Sequence, residues 1–306
     1  MTFPLFHPRL RRYLLALMLT CVPHISLFAQ QDITILAKIV YLEELPEYLR
    51  IQPRSEKRRV QRIALILIDS TLVITPPKIG ASQYISVSKL ELHGESKIIT
   101  NGVDLEISAE EIVGEPFSSV VSFDEQTPDQ ATPGDSGRSG RAAGRLLLSG
   151  ALDGSLTISL DGEKGQSGGE GLKGPNGVAG NRGEPAAQSF IDCKRGAGGG
   201  GPGAQGGIGG NGGAGGSGGD GGQLILFGML AAQREQILFS AKPGQGGKGG
   251  FGGPGGYGGS GGPSGANAPY CGGVGARGQD GMLGPKGIKG VDGKDGASGR
   301  ILGYNK

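Results

Sequence analysis

Ser136 and His93 are the two residues of this 306-residue sequence that come nearest to a catalytic pair. Ser136 lies in the run Gly-Asp-Ser-Gly at residues 134–137, and a serine nucleophile requires a histidine base that a third polar side chain holds in place. His93 is the sole histidine beyond residue 29. Ser136 lies within a glycine repeat, and no coherent context for a triad accompanies it. We therefore predict no catalytic residue and no enzymatic activity.

Other glycine patterns that often bind ligands arise here from composition. Gly-x-Gly-x-x-Gly recurs many times, but it lacks the strand–helix unit and the distant acidic residue that a dinucleotide site requires. Residues 215–220 match the start of a calcium-binding nonapeptide, yet tandem copies are missing and Gly222 stands where an apolar residue is needed. One histidine and two cysteines beyond residue 29 make no zinc site. We predict no cofactor and no metal.

Two sets of residues are candidates for contacting a partner. Phe251, Tyr257 and Tyr270 stand in or near glycine blocks, where their rings would either contact a partner or pack against glycine faces. The other set is a basic cluster, which would form either a solvated loop or a contact with an anionic polysaccharide or lipid. Its members are Arg54, Lys57, Arg58, Arg59 and Arg62.

Glycine recurs with a period of three over most of the C-terminal half. All but five of the 64 glycines lie between residues 134 and 299. Gly-Gly-X repeats over 206–223 and 246–263, and Gly-X-Y over 162–185 and 275–301. This period matches the polyproline-II helix, and bare glycine faces let neighbouring backbones approach for hydrogen bonds. We predict polyproline-II or polyglycine-II segments packed in a bundle, with a collagen triple helix and a flexible linker as alternatives.

These repeats resemble those of two known groups of proteins. The Gly-X-Y runs, such as residues 275–280 and 284–289, resemble bacterial collagen-like proteins. The Gly-Gly-X runs resemble the polyglycine-II bundles of springtail antifreeze proteins and of certain phage tail-tip adhesins. The chain departs from collagen in its few triplet prolines and from the antifreeze group in its bulky and charged X residues. The resemblance therefore implies an exported, glycine-rich structural protein and assigns no functional residue.

The strand signals lie between residues 30 and 133 and again between the glycine blocks. Residues 84–92 alternate cleanly between apolar and polar, and Asn101-Gly102 is a strong turn signal. Strands this short predict an all-β fold, either a sandwich or a β-solenoid, with little or no α-helix after the signal segment. The weak stretch 43–50 is the one helical candidate. We divide the chain into 1–29, a strand-rich region at 30–133 and a glycine-rich repeat region at 134–306.

The strands and glycine blocks repeat together. Two strands precede a glycine block in three copies, and the second strand ends in similar residues each time: 121–124 Val-Ser-Phe-Asp, 158–161 Ile-Ser-Leu-Asp and 239–242 Phe-Ser-Ala-Lys. Residues 300–304 could supply a last edge strand. Such self-similarity predicts stacked units that share cores and hold the glycine blocks together at their ends.

Residues 1–29 have the features of a secretory signal peptide. Three arginines precede a short apolar run, and Leu-Phe-Ala offers a cleavage site after Ala29. We therefore expect a protein that is secreted or at the cell surface, with the periplasm as an alternative. The apolar run is too short for a membrane span. Because the segment carries three arginines and no acid, its removal changes the formal net charge from +2 to −1, which argues against a nucleic-acid partner.

Cys193 and Cys271 both lie at breaks in the glycine pattern. An even pair of cysteines in an exported chain predicts one disulfide, with two independent thiols as the alternative. Together these features predict an exported, non-enzymatic structural or surface-interaction protein of adhesin type. Its partner is unknown, and extracellular polysaccharide or a cell surface is the expected class. A collagen-like homotrimeric stalk and an ice-binding protein are alternatives.

Overall fold

The structure, a computed structural model, describes residues 32–50, 63–76, 82–124 and 130–304. The expected signal segment (1–29) and the basic cluster at Arg54, Lys57, Arg58, Arg59 and Arg62 lie outside these residues.

Short strands account for the regular secondary structure of the described residues. They are β1 Ile33–Ile35, β2 Ile39–Tyr41, β3 Ala64–Ile68, β4 Thr71–Val73, β5 Gln83–Ser86, β6 Lys89–His93, β7 Lys97–Ile99, β8 Leu105–Gly114, β9 Ser119–Val121, β10 Arg145–Gly154, β11 Leu156–Ser159, β12 Ala187–Gln188, β13 Cys193–Arg195, β14 Gln223–Phe227, β15 Ile237–Ser240 and β16 Arg300–Tyr304. Among the described residues, helix is confined to one turn, α1 (Ala231–Arg234), and two 3₁₀ turns, Leu42–Glu44 and Glu47–Leu49, which overlap the weak helical candidate. The prediction of an all-β chain is confirmed at this coarse level.

Two parallel sheets contain almost all of these strands. The larger has the order β1-β3-β6-β8-β10-β14-β16, with β5 also paired to β8, and the smaller has the order β2-β4-β7-β9-β11-β15. Each pass of the chain adds a strand to the larger sheet and, up to β15, one to the smaller. The predicted last strand, β16, pairs in parallel with β14 at the edge of the larger sheet. β12 and β13 form a separate antiparallel hairpin.

The core lies between the sheets and is built from stacked leucine and isoleucine side chains. In β6 apolar and polar residues alternate strictly, and in both β6 and β14 every second residue is buried, so each strand buries one face. Parallel in-register pairing then places like residues above one another: Leu105, Leu146 and Leu224 are Cα partners in three successive strands and are all buried. Such columns explain why each added turn extends one continuous core.

The register of the repeat differs from the sequence alignment in one copy. Ser159 pairs with Ser240, as the similar strand ends predict, but it pairs with Val121 rather than Ser122 on the other side. The alignment of the first copy is therefore wrong by one residue. The reason is that Val120 is fully buried opposite Ile158, and a shift by one residue would turn it outward.

The Asn101-Gly102 turn is present, with positive φ at both residues. The strands on either side of it belong to different sheets, because β7 lies in the smaller sheet and β8 in the larger.

Five extended glycine-rich segments leave and rejoin the sheets between β9 and β16. They cover residues 134–143 (segment 1), 162–186 (segment 2), 198–222 (segment 3), 242–265 (segment 4) and 275–299 (segment 5), and they contain neither helix nor strand. Segments 1, 3 and 5 lead into β10, β14 and β16, which are neighbours in the larger sheet. Segments 2 and 4 follow β11 and β15, neighbours in the smaller sheet.

Backbone hydrogen bonds at every third residue join these segments into two rows. Segments 1, 3 and 5 form the first row, in which segment 3 donates to segment 5 from Gly200 N–H to Ala276 O (2.9 Å) onward. Segments 2 and 4 form the second row, in which Gly162 N–H donates to Lys242 O (2.9 Å). Bonds between the rows run antiparallel, such as Gly216 N–H to Gln166 O (2.9 Å). The bundle is therefore a continuation of the two sheets.

Glycine is required where two segments meet. A Cβ atom at Gly213 would overlap the carbonyl oxygen of Asp135 in segment 1, and one at Gly256 would overlap that of Pro175 in segment 2. Segment 1 ends before it reaches the middle of segment 3, and Ala204 occupies a glycine position of the repeat in the uncovered part. A side chain is accommodated there because segment 1 is absent, and a Cβ at Gly201, one triplet away, would come no closer than 3.3 Å to segment 2.

We expect Leu226→Ala to lower the free energy of unfolding by about 2–5 kcal/mol, because Leu226 is fully buried in β14. Leu238→Ala in β15 is the matched control, since Leu238 is 71% exposed, and we expect a change within about 0.5 kcal/mol. Urea unfolding of both variants checks this. Equal losses would contradict the placement of β14 in the core.

We expect Gly213→Ala and Gly256→Ala each to destabilise the bundle by about 1–3 kcal/mol, because the added methyl group forces backbone segments apart. In Gly196→Ala the methyl group meets no atom within 4 Å, so this variant should resemble the wild type. Amide hydrogen exchange over residues 198–222 and 242–265 is the measurement. Unchanged protection in the first two variants would show that the segments do not pack as described.

Candidate functional site

The outer faces of the two rows present side chains in regular order. In segment 2 the first glycine of each triplet faces segments 3 and 4. The second residue of each triplet faces segment 1, or solvent where segment 1 no longer covers segment 2. The third residue of each triplet therefore points away from the bundle. In segment 4 the two glycines of each triplet face segments 2 and 5, so the X residue points outward on the same side. We call this surface the second-row face; it contains every third residue of 164–185 and of 245–266.

Two contacts show that these residues are neighbours across the second-row face. The backbone N–H of Tyr257 donates to Asn176 Oδ1 at 3.0 Å. The Lys173 ammonium lies 3.8 Å from the centroid of the Tyr257 ring, a cation–π contact that holds the ring in place. The segments therefore bring together side chains that lie about eighty positions apart in the sequence.

The second-row face is basic and carries aromatic rings. Its cations are Lys164, Lys173, Arg182 and Lys248, and its acidic residue is Glu170. All four cations are exposed, and none forms an ion pair in the described part of the chain. Arginines of segments 1 and 5 do pair, as in Arg141–Glu163 (2.9 Å) and Arg277–Asp280 (3.2 Å). Arg182 Nε donates to Ser264 O at 3.4 Å, and the charge of Lys248 helps to lower the pKa of Asp292, but none of the four cations is neutralised by a direct ion pair, so this face presents positive charge to a ligand.

The first-row face is mainly apolar. It contains the X residues of segment 3 and the residue after each glycine of segment 5. Asn211 Oδ1 of segment 3 accepts from the N–H of Ile288 in segment 5 at 3.0 Å, so the two sets lie side by side. Ile208, Met282, Ile288 and Val291 are all exposed. The two faces of the bundle thus differ in chemistry.

Aspartates close the free edge of the bundle beside segments 4 and 5. Asp280, Asp292 and Asp295 of segment 5 accept from backbone N–H groups of segment 4 at 2.6–2.7 Å. The Lys289 side chain and the Gly249 N–H lower the pKa of Asp292 by hydrogen bonding to its charged form. The carboxylates satisfy edge donors that another backbone could otherwise bind, as side chains on edge strands do.

The predicted contact aromatics are exposed. Phe251, Tyr257 and Tyr270 are 62%, 63% and 58% exposed, which favours exposed contact residues over the interpretation preferred from the sequence, rings packed against glycine faces. Phe251 and Tyr257 lie on the second-row face, whereas Tyr270 lies in the turn between segments 4 and 5.

Cys193 and Cys271 form a disulfide. It joins the turn between segments 2 and 3 to the turn between segments 4 and 5, at the end of the bundle away from the sheets. Each pair of segments is therefore held at one end by paired strands and at the other by this bond.

The structure does not bring Ser136 and His93 together as a catalytic pair. Ser136 lies in segment 1, and His93 ends β6 with both ring nitrogens bonded to carboxylates, Nε2 to Glu91 (2.9 Å) and Nδ1 to Glu115 (3.0 Å). These bonds raise the pKa of His93, Glu91 having the larger effect. The pKa of Glu91 is lowered mainly by His93, and that of Glu115 mainly by the Gly94 N–H. In the described residues no group of three or more His, Cys, Asp or Glu side chains could hold a metal ion.

The four cations of the second-row face were not predicted from the sequence. The position of each cation within its glycine triplet is visible in the sequence, but the pairing of segment 2 with segment 4 is not.

Comparison with protein-family models, curated proteins and solved structures finds no match to this chain. Within the described residues, no helix combines the length and the apolar character that a membrane crossing requires.

We expect His93→Gln to lower stability most near pH 5.5 and least near pH 9. A raised folded-state pKa means that protonated His93 stabilises the fold fully below its unfolded pKa of about 6.5, and that this contribution is lost as pH rises through the folded-state pKa. The lowered pKa values of Glu91 and Glu115 act in the opposite direction, since their contribution is lost as pH falls below about 4.3. Because the His93 side chain is partly exposed, the difference between the two pH values should stay below about 1 kcal/mol.

Urea unfolding of the wild type and His93→Gln at both pH values is the measurement. A difference between them that does not depend on pH would contradict the assignment of the charge to His93.

Proposed function

We propose that the chain is a β-solenoid whose glycine-rich excursions form a polyglycine-II bundle. The in-register parallel pairing of successive strands supports the solenoid. Hydrogen bonds at every third residue, between segments that are neither helix nor strand, support threefold helices.

From this architecture we propose that the chain functions as an exported, non-enzymatic surface-interaction protein of adhesin type. The observation that carries this proposal is the second-row face, where unpaired cations and exposed aromatic rings stand on a backbone fixed by hydrogen bonds. A rigid array binds a repetitive surface through many weak contacts at once, because its side chains are already in place and little conformational entropy is lost at each contact. The disulfide fits an oxidising compartment.

The collagen-like homotrimeric stalk and the ice-binding protein would each require a different feature of the bundle. A collagen-like homotrimer would need glycine N–H groups to donate between chains, but those of segments 2 and 5 already donate within the chain. Ice binding would have to use the first-row face, whose exposed side chains range from Ala276 to Met282 in size. We therefore favour a monomeric surface-interaction protein.

The test uses the oxidised chain from residue 30 to 306. We expect it to be a monomer by size-exclusion chromatography with light scattering, and to be retained on at least one insoluble polysaccharide or on whole cells, where albumin is not. A trimer would support the stalk instead, and thermal hysteresis would support ice binding. Retention on neither polysaccharides nor cells would refute the adhesin proposal.

A further inference from the structure

The second-row face is long, narrow and only sparsely charged. It is two segments wide, and Lys164 and Arg182 lie eighteen residues apart along one of them. At about 3.1 Å per residue this separation is roughly 56 Å. The shape suits an extended, linear ligand better than a compact one.

Charged residues and aromatic rings are interspersed along this face. In the register set by the Tyr257–Asn176 contact, Lys248 lies opposite Ser167, so it falls between Lys164 and Lys173. Phe251 and Tyr257 are two triplets apart, roughly 19 Å at the rise of this helix type. Lys173 holds the Tyr257 ring from one side, while the Phe251 ring makes no cation–π contact in the described residues. The two exposed rings therefore offer apolar surface at two points of the face, and the Tyr257 ring is held in place by Lys173.

We propose that the second-row face binds an acidic polysaccharide along its length; this inference rests on the proposed surface-interaction function. The apolar faces of sugar rings stack on Phe251 and Tyr257, and the carboxylates lie against Lys164, Lys173 and Lys248. The chain as a whole is close to neutral, so the attraction is local to this face.

The same features disfavour two other anionic partners. A nucleic acid carries a phosphate on each nucleotide and binds to dense clusters of cations, whereas the cations here lie roughly 9, 19 and 28 Å apart along the axis. A lipid surface would be bound by inserted apolar side chains. Neither Phe251 nor Tyr257 lies at the tip of the bundle; along segment 4 Pro254 separates the two rings, and a polar X residue, Lys248 or Ser260, lies on the other side of each.

The experiment is affinity electrophoresis of the oxidised 30–306 chain through gels that contain hyaluronan or neutral dextran. We expect hyaluronan, with one carboxylate per disaccharide, to retard the protein and dextran to leave it unaffected. The triple variant Lys164→Gln, Lys173→Gln, Lys248→Gln should bind at least tenfold more weakly at 50 mM salt and with a smaller salt dependence. Phe251→Ala with Tyr257→Ala should weaken binding about fivefold at every salt concentration.

The matched control lies on the first-row face. Ile208→Ala, Ile288→Ala and Lys294→Gln together should leave hyaluronan affinity within twofold of the wild type, and urea unfolding checks that every variant folds. Equal losses in the control, equal retardation by dextran, or tighter binding to oligothymidylate or phosphatidylserine vesicles would overturn the proposal. If cells still retain the second-row variants, the adhesin function stands and this face is not its binding site. If cells and polysaccharides fail to retain the wild type, the function itself fails.

Discussion

The whole molecule depends on lateral backbone hydrogen bonding that passes without interruption from the sheets into the glycine rows. β10, β14 and β16 lie side by side in register, and segments 1, 3 and 5 enter them in the same order. Ordering a glycine is costly in conformational entropy, and a single hydrogen bond offsets about that cost or less. The paired strands fix one end of each long segment and the disulfide ties together the turns at the other. Segments held at both ends have less entropy left to lose.

A core made of backbone must have edges, and this chain blocks them with specific residues. Segment 1 covers only part of segments 2 and 3. In the uncovered part, Pro175 occupies the triplet position from which Gln166 donates its N–H to Arg138 O, and proline has no N–H to donate. Ala204 occupies the triplet position of Gly213 and carries a methyl group there. Aspartates of segment 5 occupy donors on the opposite edge. Proline and charged residues protect the edges of sheets from further pairing in the same way. These residues therefore hinder the addition of a further segment at parts of both edges.

Packing by backbone also frees the side chains. In an ordinary domain half of the residues on a strand are spent on the core, as in β6 and β14 here. In the rows the core requires only glycines, so large apolar and charged residues such as Phe251, Ile288 and Lys173 all remain outside. Each row can therefore carry its own surface chemistry without loss of packing. This separation explains how a basic, aromatic face and an apolar face occur on one thin bundle.

The sequence by itself determined the elements, because their signals are local. Strict alternation in β6, the threefold glycine period and the edge strand at 300–304 each follow from neighbouring residues. Tertiary structure alone decided which triplet position faces outward, that Tyr257 meets Asn176, and that Val120 rather than Val121 lies opposite Ile158. Those choices depend on which distant backbone a segment pairs with. Since every glycine triplet offers nearly the same donors and spacing, only the strands and turns that anchor the segments select one register among them.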